Sequence, residues 1–316
     1  MKPLRRALLL APLAGIARAQ ERPLRLIVPY PPGGASDLLG RLLAELLAAG
    51  LHLPAQVENL PGAATVIGAR AAAAAPADGS TLLLATSTTL AINPAMQKAL
   101  AYDPVRDFAP VALVATVPFV LAVRSAGGPA DLAGFLALAR ARPEALTYGT
   151  AGPGSPHHLA MVMLASLAGV SLTQVPYRGS APGLVDLVGG RLDAMMVDLA
   201  PALPFLQSGA LRVLAVTPAE RLAALPEVPT VAEAGLPGYA MGAWQGLVAP
   251  AATPSAVVAR LAEAVLAGLA RPEATRRLAA LSLAPQPLGP EAFARFIRAE
   301  IARWAPIVQA SGATLD

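Results

Sequence analysis

The sequence predicts an α/β protein of two lobes, each a mainly parallel sheet flanked by helices. Three observations predict it. Short apolar runs alternate with helical patterns along most of the chain, as in doubly wound sheets. The length, 316 residues, suits about two domains. One unit, a strand, a glycine loop and then a helix, occurs twice, at residues 24–47 and 146–167. A helix that starts straight from such a loop leaves backbone N–H groups without helical partners. The positive end of its dipole adds to their attraction for anions. Two such ends, far apart in sequence, suggest two lobes that close on one small anionic molecule.

Residues 1–19, MKPLRRALLLAPLAGIARA, read as a signal peptide. Lys2, Arg5 and Arg6 form its basic head, residues 7–17 its apolar stretch, and Ala17-Arg18-Ala19 its cleavage site, so cleavage is expected after Ala19. A surface amphipathic helix is the competing reading. The export route, general secretory or twin-arginine, stays open. The chain has no cysteine, which excludes lipoprotein anchoring and disulfides.

The mature chain opens with an apolar strand at 24–30. In the helix that follows, Leu38/Leu39, Leu42/Leu43 and Leu46/Leu47 recur four apart, with Ser36 or Asp37 as the cap. Asp78-Gly79 marks a turn before the strand at 81–86, which ends in the hydroxyl cluster Thr86, Ser87, Thr88 and Thr89. The apolar run 111–123 is long enough for a strand that crosses between lobes. Alternation then restarts, with helices at 131–141, 156–168, 182–189 and 201–208 and strands at 146–150, 171–176, 193–198 and 211–217. Ser155-Pro156 is an N-cap and first-turn pair. Residues 239–250 suit a return crossing. Thr253-Pro254 opens a helix to about residue 270, and helical runs near 272–281 and 290–310 close the chain. The expected lobes are 20–121 with 241–316, and 122–240.

Composition and motifs exclude several functions. The chain is 55% hydrophobic with a mean hydropathy of +0.55, yet its longest uncharged stretch, 234–259, is broken by glycine and proline and makes a poor membrane span. The formal charge of +4 comes from 24 basic and 20 acidic residues. Lys2, Arg5, Arg6 and Arg18 leave with the signal, so the mature charge is zero and no nucleic-acid partner is indicated. Neither Gly154-Ser155-Pro156 nor Gly179-Ser180-Ala181 fits the nucleophile elbow G-x-S-x-G. The three histidines, His52, His157 and His158, lack zinc-ligand spacing. No phosphate loop or dinucleotide fingerprint is present. The chain is read as no enzyme, with no catalytic residue, metal or cofactor.

Several segments carry a more specific signal. They are VPYPPGGASD (28–37), VENLPGAATVIGA (57–69), DGSTLLLATSTTLAINP (78–94), YGTAGPGSPHHLA (148–160) and VPYRGSAPGLVDLVGGRLDAMMVD (175–198), then the run from 211 to 250. In this order the chain resembles the extracytoplasmic solute receptors of tripartite tricarboxylate transporters, also called Bug proteins. The resemblance implies a two-lobed periplasmic binding protein of the type II-like, Venus-flytrap kind, expected to be a monomer. It implies a small carboxylate (an organic, amino or aromatic acid) gripped largely by backbone N–H groups and delivered to transporter subunits in the cytoplasmic membrane. On this chain the grip falls on Pro32, Gly33, Gly34, Ala35, Ser36 and Asp37 from one lobe. From the other it falls on Thr150, Gly152, Gly154, Ser155 and His158. Tyr30, Ser87, Thr88, Gly179, Ser180 and Asp198 are expected to face the same cleft.

The family's ENRPG reads ENLPG here, with Leu60 in the arginine place, and its following glycine pair is partly lost as Ala63-Ala64. Each site residue also has a plainer reading. The glycines serve tight turns, Ser36, Asp37 and Ser155 cap helices, His158 packs, Tyr30 and Tyr177 fill core, and Arg178 is solvated. Asp198 would repel a carboxylate, so it either meets a ligand ammonium or hydroxyl or is a strand-end acid. Two further functions stand beside the receptor: a secreted α/β enzyme, and a ligand-dependent partner of a two-component kinase.

Overall fold

The computed structural model describes residues 23–314. The expected signal peptide, 1–19, lies outside the described residues. The first lobe begins with β1 (Leu24–Val28), α1 (Ala35–Leu51), β2 (Ala55–Asn59), α2 (Val66–Ala73) and β3 (Thr81–Thr86). A π-helical turn, Thr88–Ile92, runs into α3 (Asn93–Met96), and the long strand β4 (Phe108–Arg124) follows. The second lobe contains α4 (Leu132–Ala141), β5 (Thr147–Thr150), α5 (Pro156–Ala168), β6 (Thr173–Pro176), α6 (Ser180–Val188), β7 (Ala194–Asp198), α7 (Leu199–Gln207) and β8 (Leu211–Val216). The chain returns through β9 (Gly242–Pro250) and ends with α8 (Ser255–Leu269), α9 (Pro272–Ala280), β10 (Ala284–Leu288) and α10 (Pro290–Ser311).

Each lobe has a parallel trio of strands, β2-β1-β3 in one and β6-β5-β7 in the other. The remaining pairings are antiparallel: β9 joins β3 to β4, β10 flanks β4, and β4 also pairs with β7 and β8. The sheets are therefore mixed at the crossing strands. One strand serves both: residues of β4 up to Pro118 pair with β9, and from Phe119 onward with β7 and β8. The apolar run that suggested a crossing strand is that strand.

Burial follows the sequence pattern. All of β3 is buried, as its unbroken apolar run requires for a strand covered on both faces. In α1, Leu39, Leu42, Leu43 and Leu47 are buried, while Leu38 turns outward and is 44% exposed. That face packs on α8, where Gly50 lies against Ala264. A second core runs on from Ile27 and Leu83 in one lobe to Tyr148 and Leu159 in the other, with Trp304 and Val308 of α10 among its members. The indoles of Trp244 and Trp304 both donate to the buried Glu300 carboxylate, each at 2.9 Å, which pins α10 onto β9. Two expected caps differ. The N-cap of α1 is Gly34 without a side-chain bond, and that of α8 is Pro254, with the Thr253 hydroxyl buried and unpartnered.

Candidate functional site

The C-terminal ends of the parallel strands in both lobes open on one cavity of about 980 Å³, at the upper end for a small-molecule site. Ligands of open α/β sheets bind at such strand ends. Tyr30, Pro32, Gly34, Ala35, Ser36, Ser87, Thr88, Gly154, Ser155 and Asp198 all line it. None of its described lining residues is lysine or arginine. An anion there depends on backbone N–H groups, hydroxyls and helix ends.

The two glycine loops are not equivalent. In the first, Leu38 N–H makes the first bond back, to Gly34 O at 3.0 Å, so the N–H groups of Gly34, Ala35 and Ser36 have no helical partner and sit at the cavity. Asp37 does not line the cavity. Its buried carboxylate accepts from Gly33 N–H, Asn59 Nδ2 and Arg41 Nε, each at 3.0 Å. Burial alone would raise this carboxyl, but those three donors outweigh it and hold it below the ordinary carboxylate range. Asp37 thus shapes the loop from behind and takes up the Gly33 N–H.

In the second loop most donors are already engaged. Gly152 N–H bonds Thr150 Oγ1, Gly154 N–H bonds His158 Nδ1 at 3.1 Å, and Ser155 N–H bonds Gly152 O. Ser155 caps α5 by accepting from His158 N–H at 3.3 Å, as Ser-Pro predicts. Its O–H proton and the first-turn N–H of His157 remain as donors. Gly154 holds φ +70°, and a Cβ there would run into the Met96 side chain from the other lobe.

His158 faces inward, stacked on Tyr148 with ring centroids 6.5 Å apart, and burial lowers its pKa. The neighbouring His157 takes the cavity side instead. Its Nε2 lies 2.9 Å from Asp198 Oδ1, and its ring packs on Phe119 at 4.5 Å between centroids. Thr150, Gly152, Gly179 and Ser180 lie off the cavity lining, and Arg178 is exposed. Tyr30 meets Thr86 Oγ1 at 3.3 Å. Enclosure raises its phenol above the ordinary value, the Thr86 and Thr88 hydroxyls act the other way, and the Asp198 charge adds to the rise.

Four buried polar atoms on lining residues have no protein partner: Ser87 Oγ, Asn93 Oδ1, His157 Nδ1 and Gln245 Oε1. Unpaired buried polar atoms are costly, and these four sit just behind the cavity lining. Asn93 Nδ2 donates to Ala64 O at 2.7 Å. It supports a turn in which Ala63, Ala64 and Thr65 all have positive φ, at 45°, 49° and 78°. The lost glycine pair leaves the turn in place, held in a conformation that glycine adopts without strain. Among the described residues no group of three His, Asp or Glu gathers to hold a metal ion.

Two α/β lobes joined by shared crossing strands, with a cavity between their strand ends, define a solute-binding protein of the Venus-flytrap class. The chain belongs to the tripartite tricarboxylate transporter receptor family, which it matches over residues 39–313. It is similar to Rpa4515 of R. palustris, solved with adipate: 36% identity, 93% of this chain and 98% of that one, TM-score 0.82. It is similar to MatC (Rpa3494) of Rhodopseudomonas palustris, solved with bound malate: 35% identity, 91% and 99% coverage, TM-score 0.77. The periplasmic binding protein BugD is 32% identical over 93% of this chain and 99% of its own, TM-score 0.78. The family is one of periplasmic solute receptors.

Proposed function

We propose that the chain is exported, cleaved after Ala19, and captures a small carboxylate between its lobes for delivery to membrane subunits of a tripartite tricarboxylate-type transporter. The observation that carries this reading is the open N-terminus of α1, with three free N–H groups, at a cavity with no lysine or arginine among its described lining residues. Such an end holds an anion without a counter-ion. The Ser36, Ser87, Thr88 and Ser155 hydroxyls and the His157 N–H complete the grip on this account. Asp37 and His158 shape the two loops from behind. The acid-bearing relatives support a carboxylate ligand here.

The lobes are assigned as 20–121 with 241–316, and 122–240; the change of β4 partner at Pro118/Phe119 supports a division near there. The protein acts as a monomer and without catalysis. Ser155 Oγ accepts a backbone N–H, and no imidazole is bonded to it to serve as a base. The test has two arms. Native mass spectrometry of the periplasmic protein is expected to show a mass starting at Gln20 and a co-purified small acid. Calorimetric titration with organic, amino and aromatic acids is expected to find a binder. Absence of any binder at millimolar concentration would refute the receptor.

A further inference from the structure

The cavity lining also carries a carboxylate. Asp198 is the N-cap of α7 but makes no cap bond. Its carboxylate turns to His157 instead, through Oδ1, and Oδ2 has no hydrogen-bond partner among the described residues. With its side chain about one-third exposed, Asp198 is open to the cavity it lines. The contact with His157 Nε2 holds the Asp198 carboxylate in place at the cavity. Asn93 Oδ1 adds one enclosed acceptor without a partner among the described residues, while the Gln245 side-chain amide brings both an acceptor and a donor to the lining. Asn93 has its amide nitrogen committed to Ala64 O, which fixes the oxygen as the open atom.

The donors of the same cavity, at the α1 N-terminus and on the hydroxyls, suit one carboxylate. A second carboxylate on the same ligand would meet the Asp198 carboxylate with no lysine or arginine among the described lining residues to offset it. An ammonium or hydroxyl group would instead give Asp198 Oδ2 the donor it lacks.

Resting on the carboxylate reading above, we propose that this receptor selects a monocarboxylate whose other end carries hydrogen-bond donors, an ammonium or a hydroxyl. The Asp198–His157 pair determines that selection against dicarboxylates. The chain would then differ in ligand class from its relatives solved with adipate and malate. Specificity of this kind comes as much from repelling the wrong ligand as from holding the right one.

The test is calorimetric titration of the full mature protein near neutral pH with two matched series. One is succinate, 4-hydroxybutyrate and 4-aminobutyrate; the other is adipate, 6-hydroxyhexanoate and 6-aminohexanoate. The expected result is that an amino or hydroxy acid binds at least about tenfold tighter than the dicarboxylate of its length. The stronger of the two arms identifies the donor. Asp198→Asn keeps the side chain's shape and removes its charge. It is expected to weaken the preferred ligand and strengthen the dicarboxylate, so that the ratio collapses. A dicarboxylate that binds the native protein as tightly as its partners, or a ratio unmoved in Asp198→Asn, overturns the selection while leaving the carboxylate receptor standing. Binding by none of the six compounds also overturns the selection, and the carboxylate receptor is then decided by the wider panel of acids above. Should Asp198→Asn fail to fold, the native ratio decides alone.

Discussion

Ala64 and its neighbours show how a site tolerates local cost. Left-handed φ at a non-glycine residue is unfavourable, and three such residues in a row line or adjoin the cavity. Ala64→Gly is expected to stabilise the protein by about 0.5–1 kcal/mol in urea unfolding, because glycine adopts φ near 49° without a Cβ penalty. A loss of stability would show that the turn carries no strain. His158 sets a pH dependence. Burial holds its folded pKa below the ordinary 6.5, so as pH falls below that value the unfolded chain takes up the proton first. Native stability is therefore full above 6.5 and declines as pH falls toward the lowered folded value. His158→Asn, with an acceptor near the Nδ1 place, is expected to flatten the decline of melting temperature as pH falls below about 6.5. The sequence singled out His158 for the cleft, and the structure puts His157 there. Adjacent helix residues point about 100° apart, and only packing against Tyr148 and Phe119 decides which ring turns inward.

At the scale of elements, the strands β1, β3, β5 and β7 were legible as apolar runs, and α1, α5 and α7 as the periodic faces after three of them. The helical turns after β3 were not, nor were two of the outer strands. β2 is AQVEN and β10 is APQPL, polar or proline-bearing segments whose strand state depends on pairing with β1 and β4. Gln245 and Trp244 reach the cavity from β9, a return strand whose neighbours no local pattern reveals. The glycine loops were read correctly as helix starts, but which of their N–H groups stay free depends on side chains behind them. Asp37 illustrates this for α1. Asp37→Ala would leave Gly33 N–H, Asn59 and Arg41 without their common acceptor. The expected cost is about 2–4 kcal/mol in chemical denaturation, together with weaker ligand binding. Unchanged stability would contradict the role assigned to it. At the start of α5, Gly154→Ala places a methyl on a left-handed residue and against Met96. It is expected to hinder approach of the two lobes and weaken binding by about tenfold or more, read by titration.

For the whole molecule, the parallel trios of the two lobes join through β9 and β4 into one ten-stranded mixed sheet, and Trp304 and Val308 of α10 belong to the core that runs through both lobes. The cavity lies where the lobes meet, so its floor is the pair of crossing strands and its walls are the helix starts of each lobe. Walls that hold an anion by helix ends, with no lysine or arginine among the described lining residues, make charge on the ligand the decisive variable. The most direct measurement compares one bound acid with its primary amide, equal in shape but uncharged, by calorimetric titration. The account predicts that the amide binds at least about tenfold more weakly, since it loses the attraction of the helix ends. Equal affinity for acid and amide would contradict it.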